Sequence, residues 1–277
     1  MNNTLRTLED LEKEIASLSA QANDVVRKLT AQKAEHSLRA HQAEWHIRGM
    51  FYHCRNVDGF YSAFAKAVSV RAGAGANILW MYSPDFQSML FELYALVNLT
   101  KIALDNIRDY LWPLFRTPYN QLPKSVSGFL RGATNCPIYM FLSQQPVLDY
   151  IIDLRNCLVH YRSFATSDNA IVIEEGVEPP ELMKTHTFFE SMARASFRRV
   201  GENGIAVNVY LPDVIFEKSP DGNKSLARFT YEERWNLLSM AQRFYKLGAV
   251  SLTESIRLLL QNDAPMYYYF KPKSKQK

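Results

Sequence analysis

Leu8, Leu11, Ile15, Leu18, Ala22, Val25 and Leu29 recur at steps of three and four, behind a TLED stretch (Thr7 to Asp10) with the form of a capping box. The pattern predicts a long amphipathic helix. Its narrow stripe suits either packing on the rest of the chain or a seam with a partner helix. Through RGMFYHCRNVDGFY the period fails at Gly49 and Gly59, and RAGAGAN, residues 71 to 77, predicts a short glycine-bearing connector. Those glycines lack GxGxxG or Walker spacing, so no phosphate cradle is expected there.

A second helix opens at SPDF, where Ser83 can cap and Pro84 suits the first helical position, and Pro113 marks its far end. Between Phe86 and Leu104 apolar side chains point almost all round, which predicts a central helix enclosed by others. Glu92, flanked by Leu96, Leu99 and Ala103, and Asp105, in line with Asn98, are acids on this helix that need partners if buried.

After the link RTPYNQLPKS and the short VSGFLRG, a third helix is expected from about Pro146 to Ser163. At 100° per residue, Val147, Ile151, Leu154 and Leu158 form the centre of an apolar arc, widened by Leu148, Ile152 and Val159. Asp149, Asp153, Asn156 and His160 line a polar stripe on the other side. Arg155 falls inside the arc, between Ile151 and Leu148, where an unpaired guanidinium is costly. A carboxylate such as Glu92 or an anionic ligand is expected to meet it.

The period then changes. NAIVIEE (169 to 175), ASFRRVGENGIAVNVYL (195 to 211) and DVIFEKSPDGNKSLARF (213 to 229) cluster β-branched residues around Glu-Asn-Gly and Pro-Asp-Gly turns, predicting two or three strands. TYEE at Thr230 is a second capping-box candidate, opening a helix through Trp235, Leu238, Phe244 and Leu247 to about Leu260. The tail YYYFKPKSKQK reads as a frayed, solubilising basic terminus. The expected organisation is a long N-terminal helix over 1–70, a helical core over 78–165, a small β element over 166–229, a C-terminal helix over 230–262 completing the bundle, and a basic tail over 263–277.

Composition narrows the functional classes. A chain of 277 residues, 47% hydrophobic, can build its core without metals or disulfides. Three cysteines without CxxC spacing, Cys54, Cys136 and Cys157, disfavour both a disulfide framework and a zinc site and fit a reducing compartment. The polar, acidic start and the lack of a long apolar run point to a cytoplasmic protein with no membrane segment. A net charge of +4 is mild, so any polyanion must be met by a local basic patch. His36, His41 and His46, five residues apart, face three directions on a helix and do not form a metal site. No metal or cofactor is expected.

The candidate chemistry lies in RNCLVH, Arg155 to His160. A second Arg-x4-His pair, Arg48 with His53, spans Gly49 and has no polar residue after the arginine; spacing alone is therefore weak. In RNCLVH an asparagine follows the arginine on an amphipathic helix after a long buried one. This resembles the HEPN domains (higher eukaryotes and prokaryotes nucleotide-binding), all-α bundles marked by Arg, often Asn, Asp or His next, and a histidine four to six residues on. MLFELYALVNLTKIALDNIRDYL is similar to the long helix preceding the motif in that family, and the resemblance covers roughly residues 84 to 165.

The resemblance implies a mainly α, HEPN-type bundle; the long N-terminal helix and the small β element before the C-terminal helix lie outside it. It also implies a metal-independent endoribonuclease of toxin or phage-defence type that leaves 2′,3′-cyclic phosphate ends. Such proteins are generally homodimers and some have a neutralising protein partner; the alternative is a non-catalytic helical dimer acting as an interaction or nucleotide-binding module. His160 would supply acid–base catalysis, Arg155 would hold the phosphate, and Asn156 would support them, with Glu92 and Asp105 as supporting candidates. On a straight helix Arg155 and His160 diverge by about 140°, which favours a site completed by a second chain. Position 162 is Arg, so the tyrosine that some members carry two residues after the histidine has no counterpart here.

The structural alternative is that Arg155 neutralises Glu92 or Asp105 inside the bundle while His160 sits favourably at a helix C-terminus.

Overall fold

A computed structural model describes residues 2–29, 34–160, 169–178, 192–201, 204–218, 224–227, 229–231, 235–261 and 267–272. The chain is mainly α-helical with a small sheet. It divides into two compact units, each built from discontinuous segments: Met1–Tyr52, Leu96–Ile152 and Phe244–Lys277 in the first, His53–Ala95 and Asp153–Arg243 in the second.

The first unit contains helix α1 (Asn2–Leu29) and part of α2 (Ala34–Ala72). It also holds the C-terminal part of α3 (Pro84–Leu111), the short α4 (Val126–Leu130) and α5 (Pro137–Ser143), and the start of α6 (Pro146–His160). Most of α7 (Leu237–Gln261) completes its helices. Helix α1 packs on its own chain: Ile15, Ser19, Ala22 and Asn23 are buried, and Glu14 pairs with Arg257 of α7. The buried line is rotated from the expected one, since Leu11, Leu18 and Val25 are only half-buried. The side chains of Leu8 and Leu29 lie outside the described residues.

Helix α2 runs unbroken through Gly49 and Gly59, which overturns the expected breaks. The reason at Gly49 is a close approach: a Cβ there would stand 3.0 Å from Leu99 Cδ1 on α3. One turn earlier His46 lies 3.5 Å from Asn106, so within this unit the two helices run antiparallel. Packing of this kind outweighs the roughly 1 kcal/mol by which glycine disfavours a helix interior. Helix α3 begins as expected, with Phe86 N donating to Ser83 Oγ at 3.2 Å. It is not enclosed all round, because Phe91, Tyr94 and Ile102 are exposed on one stripe.

The C-terminal tail departs most from expectation. Phe270–Pro272 (β9) pairs antiparallel with Gly132–Thr134 (β2). Tyr268 is buried, receives Arg116 N at 2.8 Å on its carbonyl and donates its own amide to Leu114 O at 2.7 Å. Its ring meets Phe115 at 5.9 Å between centroids, beside a stacked Phe129–Tyr139 pair at 3.8 Å. As far as Pro272 the tail is therefore a docked strand rather than a frayed end; residues 273–277 lie outside the described ones.

The second unit holds a five-stranded sheet of β1 (Ile78–Tyr82), β3 (Asn169–Glu174), β4 (Arg194–Val200), β5 (Gly204–Leu211) and β8 (Trp235–Asn236), neighbours in that order. β3 (Asn169–Glu174), β4 (Arg194–Val200) and β5 (Gly204–Leu211) match the expected strands. β1 (Ile78–Tyr82) was not expected, and it makes the sheet more than an insertion after the third helix. β3 and β4 run parallel and the other neighbours antiparallel. Alternation decides the faces: Leu79, Met81, Ala170, Val172, Ala195, Phe197 and Val209 are buried on one side.

Arg199 donates to Ala72 O at 3.1 Å and Ala76 O at 3.4 Å and pairs with Glu174 at 3.1 Å. It thereby fastens the RAGAGAN connector, which is a loop as expected, between α2 and β1. β8 (Trp235–Asn236) replaces the expected helix start; the helix begins at Leu237, with Ser239 N donating to Asn236 Oδ1 at 3.2 Å. β6 (Phe216–Lys218) and β7 (Lys224–Leu226) pair antiparallel, which takes the strands of this region beyond the two or three expected. Glu202, Asn203 and the Pro220 to Gly222 turn lie outside the described residues, as does the TYEE segment beyond Tyr231.

Gly132 tests the docked tail directly. A Cβ there would lie 2.9 Å from Lys271 O and closer still to the Phe270 ring. Gly132→Ala should lower stability by about 1–3 kcal/mol, as overpacking does, read as a reduced urea midpoint; an unchanged midpoint contradicts the β2–β9 pairing.

Candidate functional site

Helix α6 starts at Pro146 and is described as far as His160; residues 161–163, which the sequence pattern added to it, lie outside the described ones. Leu148, Ile151, Leu154 and Cys157 are fully buried, with Tyr150 nearly so. The buried sector therefore reaches further toward Cys157 than the apolar arc alone indicates. Leu158 is half-buried and Val159 exposed. Arg155 accordingly sits at the rim of the packed face, half-buried, rather than inside the core. Asn156 is half-buried beside it and His160 is exposed at the last turn. Cys157 Sγ lies 3.7 Å from Met192 Sδ, which brings this end of α6 to the residues leading into β4.

The two acids offered to Arg155 are engaged elsewhere. Glu92 Oε2 is bonded to His53 Nδ1, with both side chains half-buried. Asp105 accepts from Lys101 Nζ at 2.6 Å and from the backbone N–H of Val126 at 2.8 Å, so it fastens the start of α4. Among the described residues no carboxylate is bonded to Arg155. A guanidinium at the edge of a packed face can keep its stem on apolar surface while its head stays in water. That arrangement leaves the planar donor fork available for a phosphate.

Arg155, Asn156 and His160 thus share one helix end, with Arg155 and His160 still about 140° apart by helix geometry. A single chain cannot wrap the three groups round one phosphate without a long reach by the arginine.

The pair His53–Glu92 escaped sequence reasoning. His53 was set aside because Gly49 was read as a helix break; on a continuous α2, His46, Gly49 and His53 fall on one line, at i, i+3 and i+7, that faces α3. A carboxylate on Nδ1 fixes the orientation of an imidazole. His46 has its pKa lowered by burial, which disfavours its charged form. The side chains of His36 and His41 lie outside the described residues, and among the described ones no three His, Cys, Asp or Glu side chains are grouped to hold a metal. All three cysteines are free and buried. No helix among the described residues is long and apolar enough to cross a membrane.

Arg155→Met measures what the guanidinium contributes to folding. With no described carboxylate on it, the change should alter stability by less than about 1 kcal/mol in urea unfolding, against about 3–5 kcal/mol for breaking a buried pair. A loss in the larger range would place Arg155 in a structural ion pair. Comparison of the chain with protein-family models, with curated proteins and with solved structures returned no match.

Proposed function

We propose that the chain is a metal-independent endoribonuclease resembling the HEPN type, acting on RNA as a homodimer in the cytoplasm. The observation that carries this reading is the position of Arg155: on the rim of α6, half-buried, with Glu92 and Asp105 both bonded to other groups. The structural explanation for the arginine, neutralising one of those acids, thereby loses its two named partners.

The chemistry needs a base for the 2′-hydroxyl, an acid for the 5′-oxygen and positive charge beside the phosphorus-centred transition state. His160, exposed in the last described turn, is the group that would carry the proton transfers. Arg155 holds the non-bridging oxygens through its fork of donors. Asn156, just over one turn before His160, hydrogen-bonds the substrate or the ring. A second copy of α6 facing the first places the histidine of one chain near the arginine of the other, which removes the difficulty of their 140° divergence. Toxin or defence use, with a neutralising protein partner, is the biological setting this resemblance implies.

The second reading is a non-catalytic helical dimer serving as an interaction or nucleotide-binding module. The exposed stripe of Phe91 and Tyr94 on α3 favours it, because apolar surface of this kind commonly marks an interface.

Purified protein should cut single-stranded RNA in EDTA, and His160→Ala should lower the rate by about a hundredfold or more while leaving the melting temperature within the error of the wild type. Undiminished cleavage by that variant overturns the nuclease reading and leaves the module.

A further inference from the structure

The C-terminal tail, expected as a solubilising terminus, is a docked strand with two unlike sides. Tyr268 and Phe270 turn inward, onto the Phe115 and Phe129 rings. Tyr267, Tyr269 and Lys271 alternate with them and stand outward, the two tyrosines each 44% exposed. Because β9 pairs with β2, the exposed Ala133 lies opposite Lys271, and Arg131, also exposed, enters β2 one residue before Gly132. Arg116 completes this surface. Its backbone N–H donates to Tyr268 O, and its guanidinium stands 5.3 Å from the centre of the Tyr267 ring. Lys271 Nζ stands 5.4 Å from the centre of the Tyr269 ring. All of these residues belong to the first unit.

Two pairs of ring and cation therefore follow one another along one strand, about 7 Å apart. The sequence that builds this surface is one-sided in charge. Residues 110–148 hold Arg116, Lys124 and Arg131, and residues 264–277 hold Lys271, Lys273, Lys275 and Lys277, with no Asp or Glu in either stretch. Against a net charge of +4 for the whole chain, these two stretches supply the local basic patch that a polyanion requires. The last three lysines lie outside the described residues, and the surface is built without them. The acids that flank the two stretches do not cancel it. Asp109 accepts from Tyr119 OH, and Asp105 from Lys101 and Val126 N. Asp149 lies in the first turn of α6, and Asp263 lies outside the described residues. Among the described residues no carboxylate is bonded to Arg116, Lys124, Arg131 or Lys271.

The chemistry of the surface selects its partner. A folded protein mixes both signs of charge and would leave some of these cations facing their like, whereas a nucleic acid carries a phosphate at every step. A flexible acidic peptide meets the cations but lays nothing flat on the two rings. A bilayer is bound through apolar side chains that enter it, and the ribbon turns its most apolar ones, Tyr268 and Phe270, inward. A duplex hides its base faces, so the strand that fits is single.

We infer that the outward side of the β2–β9 ribbon is a docking surface for single-stranded RNA, with bases stacked on Tyr267 and Tyr269 and phosphates met by Arg116, Arg131 and Lys271. That the polymer is RNA rests on the ribonuclease reading above. The ribbon deepens that reading by holding the substrate with residues that α6 does not supply.

The test is the anisotropy of a fluorescein-labelled 2′-O-methyl oligouridylate, which has no free 2′-hydroxyl to attack the phosphate, titrated with the full chain. The wild type should bind it with an affinity that falls as salt rises. Arg131→Glu with Lys271→Glu should weaken binding by about tenfold or more and flatten that salt dependence. Tyr267→Ala with Tyr269→Ala should weaken it by about fivefold or more at every salt concentration, as the loss of stacked rings does, and Tyr267→Phe with Tyr269→Phe should bind like the wild type. Should the alanine pair undock the tail, seen as a lowered melting temperature, the charge-reversed pair and a duplex of the same length still decide the matter. No binding by the wild type, undiminished binding by the charge-reversed pair or by a folded alanine pair, or a duplex bound as tightly as the single strand overturns the ribbon. Poly-glutamate that competes as well as unlabelled oligonucleotide at equal charge, or tighter binding to phosphatidylserine vesicles, assigns the surface to an acidic protein or a membrane and overturns it too. Binding that the variants weaken, without cleavage of an all-ribose RNA in EDTA, keeps the ribbon and removes the nuclease; cleavage that needs His160, with binding unchanged in the variants, does the reverse.

Discussion

The nuclease reading depends on how helix α6 divides its surface. A helix packed on one side can bury only one sector, and here that sector runs from Leu148 and Ile151 through Leu154 to Cys157. Its position puts Arg155 on the rim and leaves Asn156 and His160 on the accessible side. A guanidinium drawn fully into the core would need a carboxylate, and Glu92 and Asp105 are both occupied. The site is therefore a consequence of packing, and the polar groups occupy what the packing leaves open.

The sheet poses the same question in another geometry. Alternation along β1, β3, β4 and β5 sends one set of side chains into the unit and the other outward. Arg199 belongs to the inward set and ties the end of α2 and the connector after it to the sheet. On the other face of the same strand Arg194 stacks on the Tyr231 ring at 4.1 Å, so alternate arginines of β4 tie it to different parts of the unit.

Much of the helical framework could be read from the sequence because its signals are local. Ser83 and Pro84 set the start of α3, and the 3.6-residue period of α6 marked its buried side to within a sector. What could not be read depended on distant partners. β1 is a run of apolar residues whose alternate members are exposed, so hydropathy hides the period of two. The tail strand pairs with Gly132–Thr134, far away in the chain, and nothing near Tyr268 announces that partner. Trp235 and Asn236 fit a helical period, but pairing with Tyr210 and Leu211 holds them as strand and turns Asn236 into the cap of α7. Gly49 looked like a break because the α3 side chain it accommodates is invisible from sequence, and with it went the one histidine, His53, that holds Glu92.

The central claim is that the open end of α6 cleaves RNA by attack of the 2′-hydroxyl, and the chemistry of the product ends tests it most directly. RNA incubated with purified protein in EDTA, analysed by mass spectrometry, should yield 2′,3′-cyclic phosphate on one fragment and a 5′-hydroxyl on the other. Fragments carrying a 5′-phosphate and a 3′-hydroxyl, or no fragments at all, would contradict the account.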